Sequence, residues 1–237
     1  MTRGLLSSTA FQRNKNILQG TTTISLGDFN FFHGQDRKQV RKDIIRLKAL
    51  LKINDNPVVL AQQVHGKEIG VVRKRPRTQI SYIPRTDALV TDLPGILLGI
   101  LTADCVPVFL YDREKRVIGA IHAGWRGVAK GIVPDTVRKM RSSFRCRPED
   151  ITAAIGPHIC RSHYEVDMAT AHELGLRARG KIKVDLGRLI RQQLLAAGVK
   201  GAYIAATGLC TYGSLRLYSF RHQREMAGRM LSFLLIK

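Results

Sequence analysis

The sequence predicts an α+β fold, one domain over residues 1–237 with mixed β-sheets flanked by helices. Short apolar runs alternate with amphipathic stretches, without the strict strand–helix–strand rhythm of an all-parallel sheet. Three runs, 96–101, 106–111 and 117–121, are apolar on both faces, as expected of interior strands in a covered sheet. No linker, internal repeat or low-complexity tract divides the chain.

In chain order, Val40, Ile44, Leu47 and Leu51 recur at helical spacing, so 36–52 reads as a helix with a basic outer face. Strands follow at Pro57–Leu60 and Ile69–Val72, then at Ile96–Leu101, Val106–Tyr111 and Val117–Ile121. The polar turn Asp112–Arg116 joins the last two as an antiparallel hairpin. Val133, Val137, Met140 and Phe144 mark a second helix, with Pro134 near its start where the missing N–H is harmless. After a strand at Ile151–Ile155, Leu186, Leu189, Ile190 and Leu194 mark a third helix, ended by Gly198. Tyr203–Ala206 and Leu215–Phe220 read as the last strands.

Hydrophobic residues make up 44% of the chain, which excludes wholesale disorder and fibrous repeats. Lys and Arg total 39 against 18 acids, a net charge of +21. The bases are spread along the chain, and the densest run, Arg73–Arg77, reads as a solvated loop. No nucleic-acid-binding motif accompanies it, so nucleic acid is not the expected partner. Arg3, Ser7, Ser8, Thr9 and Arg13 have a faint transit-peptide flavour, read as a by-product of the overall basicity. Cys105, Cys146, Cys160 and Cys210 form no C-x-x-C pair, and no apolar run reaches the ~18 residues of a membrane span. Free thiols, no membrane and a cytoplasmic location are the expectations.

Three segments place polar chemistry at the ends of apolar strands: Gln62–Gly66, Leu101–Pro107 and Gly119–Gly127. A thiol, a carboxylate and an imidazole there cost free energy unless they are paired or ligated. His65, Cys105 and His122 are good zinc ligands, and three protein donors leave a fourth position for water or substrate. Their spacing matches no short metal motif, so core packing and structural hydrogen bonding are the competing readings. Arg126, within the small-residue track Gly119–Gly127, is suited to a bidentate phosphate contact. Neither G-x-G-x-x-G nor a phosphate-loop G-K-[ST] is present, and the paired H-x-E and P-C-x-x-C signature of base deaminases is absent. Seven histidines without an H-x-H pair are poor material for a trinuclear copper cluster.

Taken together, Gln63–Gly66, LTADCVP at Leu101–Pro107 and HAGWRG at His122–Gly127 resemble the hallmark blocks of the YfiH-like family, known both as laccase-domain proteins and as purine nucleoside phosphorylases. Asp87–Thr91, Ile155–Pro157, Tyr164–Val166, Cys210-Thr211 and Gly228–Met230 extend the likeness over roughly residues 20–235. The resemblance implies one α+β domain and a metal, usually zinc with copper as the alternative, on His65, Cys105 and His122. It also implies phosphorolysis of adenosine, inosine, guanosine and methylthioadenosine, with adenosine deamination. The expected partners are therefore a nucleoside and phosphate, and monomer and homodimer stay open.

Cys105, His122 and Arg126 are the expected catalytic residues, with Asp104 or Asp87 as proton donors for deamination. Departures from the family pattern stand at Asn30–Gly34, Asp43-Ile44, Ser162-His163 and Arg221-His222; they leave the metal triad intact and touch substrate contacts. Two rival readings compete with the phosphorylase. One makes Cys105 a nucleophile activated by His122, in a hydrolase or amidase editing muramyl peptides. The other is a basic RNA-binding module, which demands steep salt dependence.

Overall fold

A computed structural model describes residues 4–12, 14–31 and 37–237. Arg3, Arg13, the first residue expected of the opening helix and part of Asn30–Gly34 lie outside these. Two six-stranded sheets stack face to face, with helices on both outer sides. The first runs Leu5–Leu6, Ile17–Thr22, Met230–Ile236, Leu97–Thr102, Val58–Gln62, Ile80–Pro84. The second runs Ile204–Ala206, Ile151–Ile155, Val106–Asp112, Val117–Ala123, Ala88–Thr91, Ile69–Val71. Both contain parallel and antiparallel pairs, and a two-stranded ribbon, Glu165–Val166 with Ile182–Lys183, stands apart.

The doubly apolar runs are explained by this stacking, because successive side chains of a strand enter different cores. Val59, Leu98, Ile100, Phe109, Ile118 and Leu234 fill the layer between the sheets. Their neighbours Val58, Leu60, Leu97 and Phe233 pack instead with Val40, Ile44 and Leu47 of helix Arg37–Leu51. On the opposite side, Val106, Val108, Leu110 and Ile121 meet Val133, Val137 and Met140 of helix Ile132–Phe144, and Ile190 and Leu194 of helix Leu186–Ala196. The three expected helices are thus present.

The hairpin at Asp112–Arg116 is also present, its flanking strands paired antiparallel from Val106↔Ala123 to Asp112↔Val117. Asp112 closes the turn by accepting from the Lys115 amide at 2.9 Å. In the basic pentamer, Arg73 donates to the Ser143 carbonyl at 2.8 Å and Arg75 to the Asp55 carbonyl at 3.0 Å, so these two guanidiniums tie a loop down.

One expectation is corrected: Leu215–Phe220 is not a strand. Arg216 N–H turns back to Ser214 Oγ at 3.2 Å, and Ser219 caps the short helix Phe220–Gln223 by accepting from His222 N–H. These local bonds occupy backbone groups that a ladder would need, and Leu215 is 98% exposed. The last strand is Met230–Ile236, buried throughout between Ile17–Thr22 and Leu97–Thr102.

Phe109 is fully buried between the sheets. Phe109→Ala is expected to cost about 3–5 kcal/mol, measured by denaturant unfolding; a loss below about 1 kcal/mol contradicts this packing.

Candidate metal and catalytic site

The site forms where strands from both sheets end at one edge. The chain leaves the first sheet at Thr102 and enters the second at Val106, so Cys105 lies in the crossover between them. His122 sits near the end of strand Val117–Ala123, in register with Pro107 across the hairpin. His65 projects from the loop after strand Val58–Gln62. Gln63 clamps that loop to the crossover strand, donating to the Leu101 carbonyl at 2.8 Å and accepting from the Leu101 amide at 2.6 Å.

Asp87, fully buried, organises the rest. Its carboxylate accepts from three consecutive amides, Val64 at 3.1 Å, His65 at 2.9 Å and Gly66 at 2.7 Å. This amide nest holds His65 at φ 56°, in the left-handed region where a residue with Cβ is strained. The same carboxylate lies 2.9 Å from His122 Nδ1, which leaves Nε2 free to face the site. Burial alone would raise the Asp87 carboxyl; His122 and the loop amides overrule it and hold it below the usual range. Asp87 is therefore an anion that orients His122, and its expected role as a proton donor is corrected.

Asp104 also spends both carboxylate oxygens on structural contacts. Held at φ 85°, it accepts from Thr211 Oγ1 at 2.5 Å and the Arg221 amide at 2.6 Å, so it anchors two loops beside the site. Cys105 is half-buried; desolvation raises its thiol, yet His122 and His65 bring it down to about 6. His122 responds in kind: burial disfavours its charge, but Cys105 and Asp87 raise it to about 9. Without a metal the two form a thiolate–imidazolium pair.

The donor atoms of His65, Cys105 and His122 lie within 4.8 Å of one another. A Cβ on Gly124 would stand 3.1 Å from Cys105 Sγ, 3.2 Å from His65 Cδ2 and 3.7 Å from His122 Cε1. That opening, with one thiol and two imidazoles around it, fits a zinc-sized cation. Gly127 keeps the short helix Trp125–Ala129 against the His65 loop, since a Cβ there would come 3.0 Å from the Gly66 carbonyl oxygen.

Arg126, on that helix, is exposed and stacks on Trp125 at 4.4 Å; it forms no ion pair among the described residues. Two further residues belong to the site. Tyr164 is buried, and its phenol is pushed up by burial and by Cys105, with Arg221 and Arg126 close enough to oppose the shift. Arg221 stacks on Tyr164 at 5.2 Å and donates to the Glu165 carbonyl at 3.0 Å. Tyr164 lies in a recognised sequence block, and Arg221 in the Arg221-His222 pair that the sequence marks as touching substrate contacts.

Asp87→Ala leaves three amides and an imidazole without their acceptor. The expected loss is about 3–5 kcal/mol of stability, with zinc affinity down about 10–100-fold. Unfolding curves and competition with a chromophoric chelator measure both; unchanged zinc affinity contradicts the orienting role. Gly124→Ala is expected to weaken zinc binding about tenfold or more while circular dichroism stays native, because the added methyl enters the opening; unaltered affinity contradicts that geometry.

The site can be set against known proteins. A family model described as multi-copper polyphenol oxidoreductase laccase matches residues 11–237. A purine nucleoside phosphorylase of Clostridium acetobutylicum is 38% identical over 199 residues, covering 78% of this chain and 84% of its own. The purine nucleoside phosphorylase YlmD of Bacillus subtilis is 30% identical over 253 residues, covering 95% and 91%. The crystal structure of YlmD from Geobacillus stearothermophilus superposes with a TM-score of 0.92 at 31% identity, covering 100% of this chain and 97% of that one. YfiH of Bacillus licheniformis follows with a TM-score of 0.87 at 30% identity, covering 93% of each chain. The chain belongs to the laccase-like multi-copper polyphenol oxidoreductase family, alongside relatives named purine nucleoside phosphorylases.

Proposed function

We propose that this chain is a zinc-dependent purine nucleoside phosphorylase acting on adenosine, inosine, guanosine and methylthioadenosine, with adenosine deaminase activity. The observation that carries this reading is the convergence of His65, Cys105 and His122 on the Gly124 opening, with the exposed guanidinium of Arg126 on the adjacent helix. The names of the relatives supply the reaction class. His65, Cys105 and His122 would hold the zinc, with copper as the alternative. A zinc ion there supplies Lewis-acid polarisation of an oxygen in the fourth position.

The chain's own residues supply positioning and charge. Asp87 fixes His122 by its Nδ1 contact, and Arg126 attracts and orients phosphate. In phosphorolysis a phosphate oxygen forms the bond to C1′ as the C1′–N9 bond breaks. The base leaves with that electron pair and gains a proton. In deamination water adds at C6 and ammonia departs. Tyr164, a neutral phenol beside Cys105, can donate a hydrogen bond to substrate there. Among the described residues no helix is long and apolar enough to cross a membrane. Free Cys105, Cys146, Cys160 and Cys210 suit a reducing cytoplasm.

One observation favours a second reading. Asp87, His122 and Cys105 also form an acid–base–nucleophile relay, the arrangement of a cysteine hydrolase or amidase editing muramyl peptides.

Chromatography of adenosine incubated with the protein, with and without phosphate, tests the proposal. Adenine that requires phosphate, together with inosine that does not, is expected. Both products should fall at least a hundredfold in Cys105→Ala and after removal of metal by chelation, as zinc returns activity. Activity that survives chelation and is trapped by thiol alkylation supports the hydrolase; no nucleoside turnover under any condition overturns the phosphorylase.

A further inference from the structure

A second group of soft donors lies on two other loops. Cys160, His163 and Cys210 place their ligand atoms within 4.8 Å of one another, at half-buried to exposed positions. His163 Nδ1 stands 3.3 Å from Cys160 Sγ and 3.5 Å from Cys210 Sγ. Cys160 and His163 bracket one 3-10 turn, Arg161–His163, closed by the His163 amide on the Cys160 carbonyl at 3.1 Å. This Cys-x-x-His spacing on a tight turn brings both side chains to one point.

Cys210 arrives from far along the chain but is held by backbone. The His158 amide donates to the Leu209 carbonyl at 3.1 Å, and the Thr211 amide to the His158 carbonyl at 3.0 Å. The His163 ring is fixed by stacking on Tyr212 at 4.5 Å and 15°.

The surroundings of the sulfurs point to a cation. The Cys160 amide donates to Cys210 Sγ at 3.2 Å, and the amides of Tyr212 and Gly213 face the same sulfur. The Ser162 amide faces Cys160 Sγ. Backbone N–H groups gathered on sulfur are the outer shell that steadies a ligating thiolate, and two thiolates with one imidazole are a soft, compact donor set.

We propose that Cys160, His163 and Cys210 form a second metal site, built for a thiophilic cation of the Zn2+ class with its fourth position open. His163 also lines a cavity of about 370 Å3 together with Tyr212, Ser219 and His222. The bound ion clips together two loops that also meet at Asp104. The Ile159 amide donates to the Asp104 carbonyl at 3.1 Å and Thr211 Oγ1 to its carboxylate at 2.5 Å, each one residue from a ligand. Tyr164, the next residue after His163, faces the first site, so the clip fixes its approach to Cys105.

The test uses the full chain, reduced, stripped of metal and titrated anaerobically with Zn2+, then with Co2+. Cys105→Ala, which disables the first site, is expected to retain one tight Zn2+ per chain. Its Co2+ form should show the intense near-ultraviolet absorption of thiolate-to-metal charge transfer. Adding Cys160→Ser and Cys210→Ser should abolish both the ion and the band, with circular dichroism confirming the fold. The Co2+ spectrum of Cys105→Ala reads the second site with its ligands intact, so a variant that misfolds leaves the test standing. A Cys105→Ala chain that binds no Zn2+, or binds Co2+ without the thiolate band, overturns the proposal. Formation of a Cys160–Cys210 disulfide in place of metal uptake also overturns it. If the first site itself binds no zinc, the intact chain and Cys105→Ala give the same count, which keeps the two readings distinguishable.

Discussion

The buried carboxylate of Asp87 is the constraint on which the site depends. A carboxylate fully removed from water is tolerable only when its lone pairs are filled, and here three amides and one imidazole fill them. Each bond also places something. The amides hold His65 of the 64–66 loop in the left-handed region, and the imidazole contact decides which nitrogen of His122 faces the opening. The Asp87 carbonyl adds a fifth restraint by accepting from the His122 amide at 2.7 Å, in continuation of the pairing of strand Ala88–Thr91 with Val117–Ala123.

The stacked sheets make this possible. Strands in the second sheet have one face on the inter-sheet layer and the other on helices, so their ends are rigid and dry. A crossover between sheets then brings Cys105 to the same edge as His122, and Gln63 binds the His65 loop to that crossover. The ligands come from segments remote in sequence because each sits at a strand end, where a buried backbone gives way to open chain. Arg126 and Arg221 supply positive charge around Tyr164, whereas most of the chain's +21 charge belongs to surface helices and loops.

Much of this was legible from residue order. Helical periodicity marked three helices, and runs apolar on both faces marked strands between two cores. The ligand residues stood out because polar groups at the ends of buried strands need a reason to be there. What stayed hidden was set by tertiary pairing. Asp87 reads as a candidate proton donor until the 64–66 amides fold onto it, and the Asp104 carboxylate holds the Arg221 amide beside the site. Leu215–Phe220 has the partial apolar alternation of a strand, but its backbone bonds are spent on local turns. Cys160 and Cys210 looked remote because they are 50 residues apart, and the nearby His163 completes a motif that a search for cysteine pairs alone passes over.

The most direct test of Asp87 as organiser is the tautomer of His122 in the zinc-loaded protein, read by long-range 1H–15N correlation spectroscopy. A proton is expected on Nδ1, held by Asp87, with Nε2 unprotonated and shifted by the metal. In Asp87→Asn that proton should lose its protection from exchange. A proton on Nε2 with Nδ1 bare, in the native chain, would contradict it.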